Sequence, residues 1–215
     1  MRFLLALLLL LPSSAFAGDS MTEALADATT ILRELGPSVP AKVKKRADCV
    51  SVFHMGSGGF IFGGSGGTGF ISCKTKAGTW SAPVVLDIGG PSVGAQVGGS
   101  KMELVMVYTG VDDIDAVVTT TPVFAVSASA TAGDKSADIS IGGNPDLDAT
   151  VVTVYRSAGL RAAAVADGLA VAPDKEKTAD LHGKSVRLHD ALVAGTVPVP
   201  ERAKALHAAV VAWAK

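Results

Sequence analysis

Glycine recurs through a stretch whose other residues favour extended chain, and few folds accept that combination. Fourteen of the 24 glycines fall between Gly56 and Gly99, interleaved with Val, Ile, Phe and Thr. A glycine inside a strand forfeits packing and costs entropy, so its repeated use marks bends, bulges or close backbone approach. A strongly curved, barrel-like antiparallel sheet satisfies that better than a flat parallel one.

Strands are expected over residues 50–53, 59–62, 69–74, 80–88, 93–97 and 102–108, with Ala77-Gly78 as a hairpin turn. After a short helix at 112–118, further strands are expected over 123–130, 137–141, 150–155 and 162–171. Helices flank this region. Met21, Ala24, Leu25, Ala28, Ile31, Leu32 and Leu35 recur at helical spacing until Gly36-Pro37 stops them. Their helix carries Glu23, Asp27, Arg33 and Glu34. A membrane-surface helix would carry Lys and Arg instead, so this one should pack on the core. A second helix should start near Ser38 as cap, with Pro40 in its first turn. Helices over 174–193 and 200–215 close the chain, the last with Ala203, Leu206, Val210 and Trp213 on one face. The fold class read from this pattern is α+β, one domain over 18–215 whose Gly-rich sheet lies between N- and C-terminal helices.

Composition removes several classes. Only 18% of residues are charged and 48% are hydrophobic, the reverse of what disorder requires. A formal net charge of −1 lacks the basic excess of a nucleic-acid binder. No run reaches the roughly 18 apolar residues of a spanning helix. The first 17 residues read as a secretory signal peptide: Arg2, an apolar run from Phe3 to Leu11, and small residues at Ala15 and Ala17. Gly18 rather than Cys follows, so lipidation is not indicated. The expectation is an exported, soluble protein, periplasmic or extracellular. In an oxidising compartment Cys49 and Cys73 are either a disulfide or two buried thiols; a disulfide there would add about 3 kcal/mol.

The literal motifs point to little chemistry. Gly64-Ser65-Gly66-Gly67-Thr68-Gly69 matches a dinucleotide fingerprint, but strand-like Phe70-Ile71-Ser72-Cys73 follows where a helix is needed. Asn144, Asp146, Asp148 and Thr150 faintly resemble a calcium loop, but Ala149 and Tyr155 stand where Gly and Glu belong. The four histidines are scattered, and no serine sits in a Gly-x-Ser-x-Gly elbow. The reading is therefore no enzyme, no cofactor and no metal site, with a hydrolase of unrecognised type as the weakest rival.

Charge is more informative. From Ser38 to Trp80 six basic residues face one acid, a balance of +5; from Ser81 to Tyr155 two face nine, a balance of −7. Lys42, Lys44, Lys45 and Arg46 form the core of the basic pole. Such a cluster either attracts anionic lipid, at about 1 kcal/mol per residue, or is simply a solvated helix face.

With these segments laid out, the chain resembles the SYLF domain family, in its exported bacterial branch. Ala47-Asp48-Cys49-Val50-Ser51-Val52, Gly59-Phe60-Ile61-Phe62-Gly63-Gly64 and Trp80-Ser81-Ala82-Pro83 carry the resemblance. So do the stretch from Gly89 to Gly99, Arg156-Ser157-Ala158-Gly159-Leu160 and Val197-Pro198-Val199-Pro200. The resemblance implies a non-enzymatic lipid-binding module. Its binding residues would be Lys42, Lys44, Lys45 and Arg46, and its partner anionic phospholipid of the envelope. It also favours the Cys49–Cys73 disulfide. Glycine-rich strand edges could add backbone N–H groups for phosphate, or recruit a partner strand in a protein-interaction module. The chain departs from the family pattern at Arg161, Ala163, Thr178 and His182 and in the shortened segment around Gly133-Asp134-Lys135, which would change a ligand pocket built there.

Overall fold

The structure is a computed structural model and describes residues 20–60, 62–93, 100–111, 123–124, 138–144, 149–158 and 169–215. The leader, the expected helix at 112–118, the Asp146–Asp148 loop, Gly133-Asp134-Lys135, Arg161 and Ala163 lie outside these residues. Among the described residues, no helix is long and apolar enough to cross a membrane.

Among the described residues, eight strands form one sheet: β1 (Ala47–Phe60), β2 (Phe62–Cys73), β3 (Val84–Val93), β4 (Ser100–Thr109), β5 (Val123–Phe124), β6 (Asp138–Asn144), β7 (Ala149–Ala158) and β8 (Leu169–Pro173). Their order is β5-β8-β3-β2-β1-β4-β7-β6, and every pair is antiparallel. The helices are α1 (Ser20–Leu35), α2 (Ala41–Lys45), α3 (Lys175–His182), α4 (Leu188–Leu192) and α5 (Lys204–Trp213). The α+β class and the antiparallel sheet between terminal helices are as expected. The sheet is open, because no ladder among the described residues joins β5 to β6.

Glycine does not chop the chain into short strands. The segments expected at 50–53 and 59–62 belong to one hairpin that pairs residue for residue from Cys49↔Cys73 to Phe60↔Phe62. Gly69 shows why side chains are excluded here. A Cβ on it would lie 2.1 Å from the Phe53 ring and 2.5 Å from the Val52 carbonyl oxygen. Phe53, fully buried, occupies the space that a side chain at 69 would take. The glycine-rich strands β1 and β2 are interior, each paired on both sides. From Cys49 to Ser57, β1 is laddered to both β2 and β4, whereas the edge strand β6 carries Gly142-Gly143.

Strand alternation divides the interior into two cores. Odd-numbered β1 residues Cys49 and Phe53 pack with Ile71, Leu86, Leu104 and Met106, capped by Ala191 and Leu192 of α4. Even-numbered Val50 and Val52 pack with Phe70, Val85, Val105 and Val154 beneath α1 and α5. The Sγ atoms of Cys49 and Cys73 lie 2.05 Å apart, a disulfide linking directly opposed residues of β1 and β2.

The helix-facing core ends at a row of polar side chains. Arg156, Glu103, His54, Thr68 and Asp87 are successive cross-strand neighbours on β7, β4, β1, β2 and β3. The helices above bond to four of them, Arg156, His54, Thr68 and Asp87. Glu34 of α1 pairs with Arg156 at 2.7 Å, and Arg156 also holds Glu103. Asp27 meets His54 Nδ1 at 3.0 Å. Lys177 of α3 donates to Asp87 at 2.7 Å and to Thr68 at 3.3 Å. The two carboxylates beside Arg156 raise its pKa, while Asp87 raises that of Lys177.

Two expected helices differ in their bounds. The single helix at 174–193 becomes α3 and α4, because Gly183 turns left-handed at φ 68°. Asp174 caps α3, accepting from the Lys177 backbone N–H at 2.8 Å. Ser38 ends a 3-10 turn (Gly36–Ser38) instead of capping α2, whose N-cap is Pro40. Thr178 and His182, two of the departures from the family pattern, tie α3 to the sheet. The Val85 N–H donates to the buried Thr178 hydroxyl at 3.1 Å, and His182 Nε2 donates to the Pro83 carbonyl at 2.9 Å.

Two expectations concern stability. Gly69→Ala forces Phe53 out of its place and should cost about 2 kcal/mol, read as a lower urea midpoint with unchanged slope. An unaltered midpoint would show that the strands yield freely there. Burial lowers the His182 pKa, with the nearby charges of Lys184 and Arg202 acting in the same direction and the Pro83 bond opposing. Folding thus favours the neutral imidazole, and its contribution is complete above the unfolded value of about 6.5 and declines below it. Unfolding free energy should fall from pH 7.5 to 5.5, and His182→Gln should flatten part of that slope.

Candidate functional site

The short helix α2 owes its orientation to one apolar residue. In Ala41-Lys42-Val43-Lys44-Lys45, Val43 packs on the helix-side core, and buried Val39 anchors the approach. Lys42, Lys45 and Arg46 are consequently exposed, and Lys44 is half-buried. All four cations occupy this one helix and its C-terminal cap. None forms an ion pair with a carboxylate of the described residues.

Two tryptophans lie beside them. Trp213, on α5, donates its indole N–H to the Gly36 carbonyl at 3.0 Å. Its ring meets Trp80 edge-on, with centroids 6.3 Å apart. Lys44 Nζ stands 5.9 Å from the Trp213 centroid, and Lys74 Nζ stands 5.7 Å from that of Trp80. The order Lys44, Trp213, Trp80, Lys74 is a run of cation–π and edge-to-face contacts, each worth roughly 0.5–1 kcal/mol at an exposed site. Gly36 permits the junction, since a Cβ there would sit 2.6 Å from the Trp213 ring.

The Trp80-Ser81-Ala82-Pro83 motif builds this corner. Trp80 bridges Lys74 across a narrow ladder, and its carbonyl accepts from His207 of α5 at 3.1 Å. Ser81 accepts from the Cys73 N–H at 3.0 Å and donates to the Ala82 carbonyl. The motif is thus structural, joining the end of β2 to α5.

Between α1, α2 and α5 runs a groove of about 610 Å³. Leu32, Pro37, Ala209, Ala212 and Trp213 form apolar lining, whereas Arg33, Lys44, Lys45 and Lys215 supply its charges. No Asp or Glu lines it. Sequence reasoning found the α2 cations and assigned Trp213 to docking. It missed Arg33 and Lys215, which are distant in the chain and converge only because α1 packs on α5.

A second, smaller cavity of about 220 Å³ lies beside Asp27 and His54, with Ser20, Glu23 and Thr68 in its wall. Spacing gave no sign of the Asp27–His54 pair. The Thr68 hydroxyl is held by Asp87 and Lys177, and Ser20 forms no hydrogen bond to His54. The pair therefore ties α1 to β1. No cluster of three or more metal-ligating side chains occurs among the described residues. Thr178 and His182 line neither cavity.

A family model described as Ysc84, Las17-binding protein actin regulator, matches residues 89–213, which include α5 and Trp213 but not α2. LAS seventeen-binding protein 3 of Saccharomyces cerevisiae is 29% identical over 148 residues, covering 67% of this chain and 32% of that protein. Protein YSC84 of the same yeast is 28% identical over 171 residues, covering 78% and 36%. SH3 domain-containing YSC84-like protein 1 of Rattus norvegicus is 28% identical over 194 residues, covering 85% and 54%. The chain thus spans a third to a half of the length of these relatives. No solved structure matches it. By the match to the family model over more than half its length, this chain belongs to the Ysc84, or SYLF, domain family.

Proposed function

We propose that this chain is a non-enzymatic module that attaches peripherally to anionic phospholipid surfaces, exported to act at the cell envelope. One observation carries the reading: Lys42, Lys44, Lys45 and Arg46 are gathered on one short helix, unpaired by any described carboxylate. Each Lys or Arg near an anionic leaflet contributes about 1 kcal/mol. The half-buried Trp80 and Trp213 beside them have the mixed polar and apolar character that suits a headgroup boundary. Two acidic side chains of α1 are engaged over the sheet, Glu34 with Arg156 and Asp27 with His54.

The names of the yeast relatives favour a second reading, in which a protein partner occupies the same cationic face. An acidic protein surface would use the same charges, so binding to protein-free vesicles separates the two.

Flotation provides the test. The purified chain should float with vesicles containing phosphatidylglycerol and remain behind with phosphatidylcholine alone. Raising salt to about 1 M, where the screening length falls to about 3 Å, should release it. The triple variant Lys42→Glu, Lys45→Glu, Arg46→Glu should bind at least about 100-fold more weakly. Unchanged flotation of that variant would remove the basic helix from lipid attachment and leave it to the protein-partner reading.

A further inference from the structure

The groove between α1, α2 and α5 differs in kind from the exposed cations beside it. Its floor is alkyl and aromatic, from Leu32, Pro37, Ala209 and Trp213, and its four charged residues, Arg33, Lys44, Lys45 and Lys215, are all positive. The one polar group of the floor's large side chain, the Trp213 indole N–H, is already committed to the Gly36 carbonyl. An occupant therefore meets dispersion contacts along the floor and fixed positive charge on the rim. Polar groups along its length would find few partners, which disfavours a peptide backbone. At about 610 Å³ the space is that of a small-molecule site, which typically measures about 300–1,000 Å³.

We propose that this groove takes up one acyl chain of an anionic phospholipid, with the headgroup phosphate held between Lys44, Lys45, Arg33 and Lys215. The inference rests on the lipid-surface reading and deepens it, from attraction to a charged plane to capture of an individual lipid. The small side chains Ala208 and Ala212 on α5 leave room for the chain to lie against the helix. Lys44 belongs to both arrangements: it faces the Trp213 ring at 5.9 Å and lines the groove.

The experiment uses the full chain, stripped of lipid, with monomeric 14-carbon lysophosphatidylglycerol as probe and lysophosphatidylcholine of equal length as control. Native mass spectrometry should show one anionic lipid per chain, bound at least 10-fold more tightly than the zwitterionic control. A brominated chain on the same headgroup should quench the tryptophan fluorescence. Ala208→Phe and Ala212→Phe place a ring in the groove from exposed positions, so the fold should persist, which circular dichroism checks. Each should weaken uptake of the lysolipid at least 10-fold while leaving flotation with anionic vesicles intact. Uptake unaffected by either substitution, absence of quenching, or several lipids per chain would overturn the groove proposal while the surface reading stands. The opposite outcome, lysolipid bound in the groove by a chain that never floats with anionic vesicles, would sustain the groove and overturn attachment to a surface. Displacement of the lysolipid by an acidic peptide but not by anionic vesicles would overturn the lipid assignment in favour of a protein ligand.

Discussion

The close approach of β1 and β2 is the constraint on which the rest of the structure depends. Phe53 lies where a side chain at position 69 would stand, and this intimate pairing continues to the hairpin's far end at Phe60 and Phe62. Because the pair is central, both of its faces need cover, and strand alternation sends Cys49 and Phe53 to one core and Val50 and Val52 to the other. The terminal helices supply one of those covers. Their placement, and hence the groove and the cationic face, follows from the geometry of two strands.

Where the helix-side core ends, water must be met without exposing the ladder. The row Arg156, Glu103, His54, Thr68 and Asp87 does this, each residue directly beside the next in register. Partly exposed ion pairs contribute little stability individually, but these are connected laterally along the sheet and vertically to α1 and α3. They also fix α1 over the sheet and occupy two of its acids. Glu34 and Asp27 are drawn toward the polar row, so they do not neutralise the basic groove at the other side of the helix.

Membership of the Ysc84 family and the local geometry speak to different questions. The family match spans the later strands and α5, whereas the basic helix α2 precedes it. Trp213 joins the two parts physically, through its bond to Gly36 and its contact with Lys44. A functional surface assembled across that boundary depends on both segments and is not visible in either alone.

The local features of the chain were legible in its residues. The helical spacing in α1, the start of a helix near Asp174, the strand character of the segment after Gly69 and the basic composition of α2 all rest on interactions within a few residues. So does the rejection of a nucleotide loop, because Phe70 to Cys73 is β2. Tertiary structure decided the rest. It merged two expected strands into a single hairpin, left the sheet open, placed β1 and β2 at its centre, and broke the helix at Gly183. Above all it brought Arg33, Lys44 and Lys215 to one groove, and Asp27 to His54. Such convergences depend on which strand lies beside which and on how α5 crosses α1. Those relations are set by packing between segments far apart in sequence, and residue spacing carries no record of them.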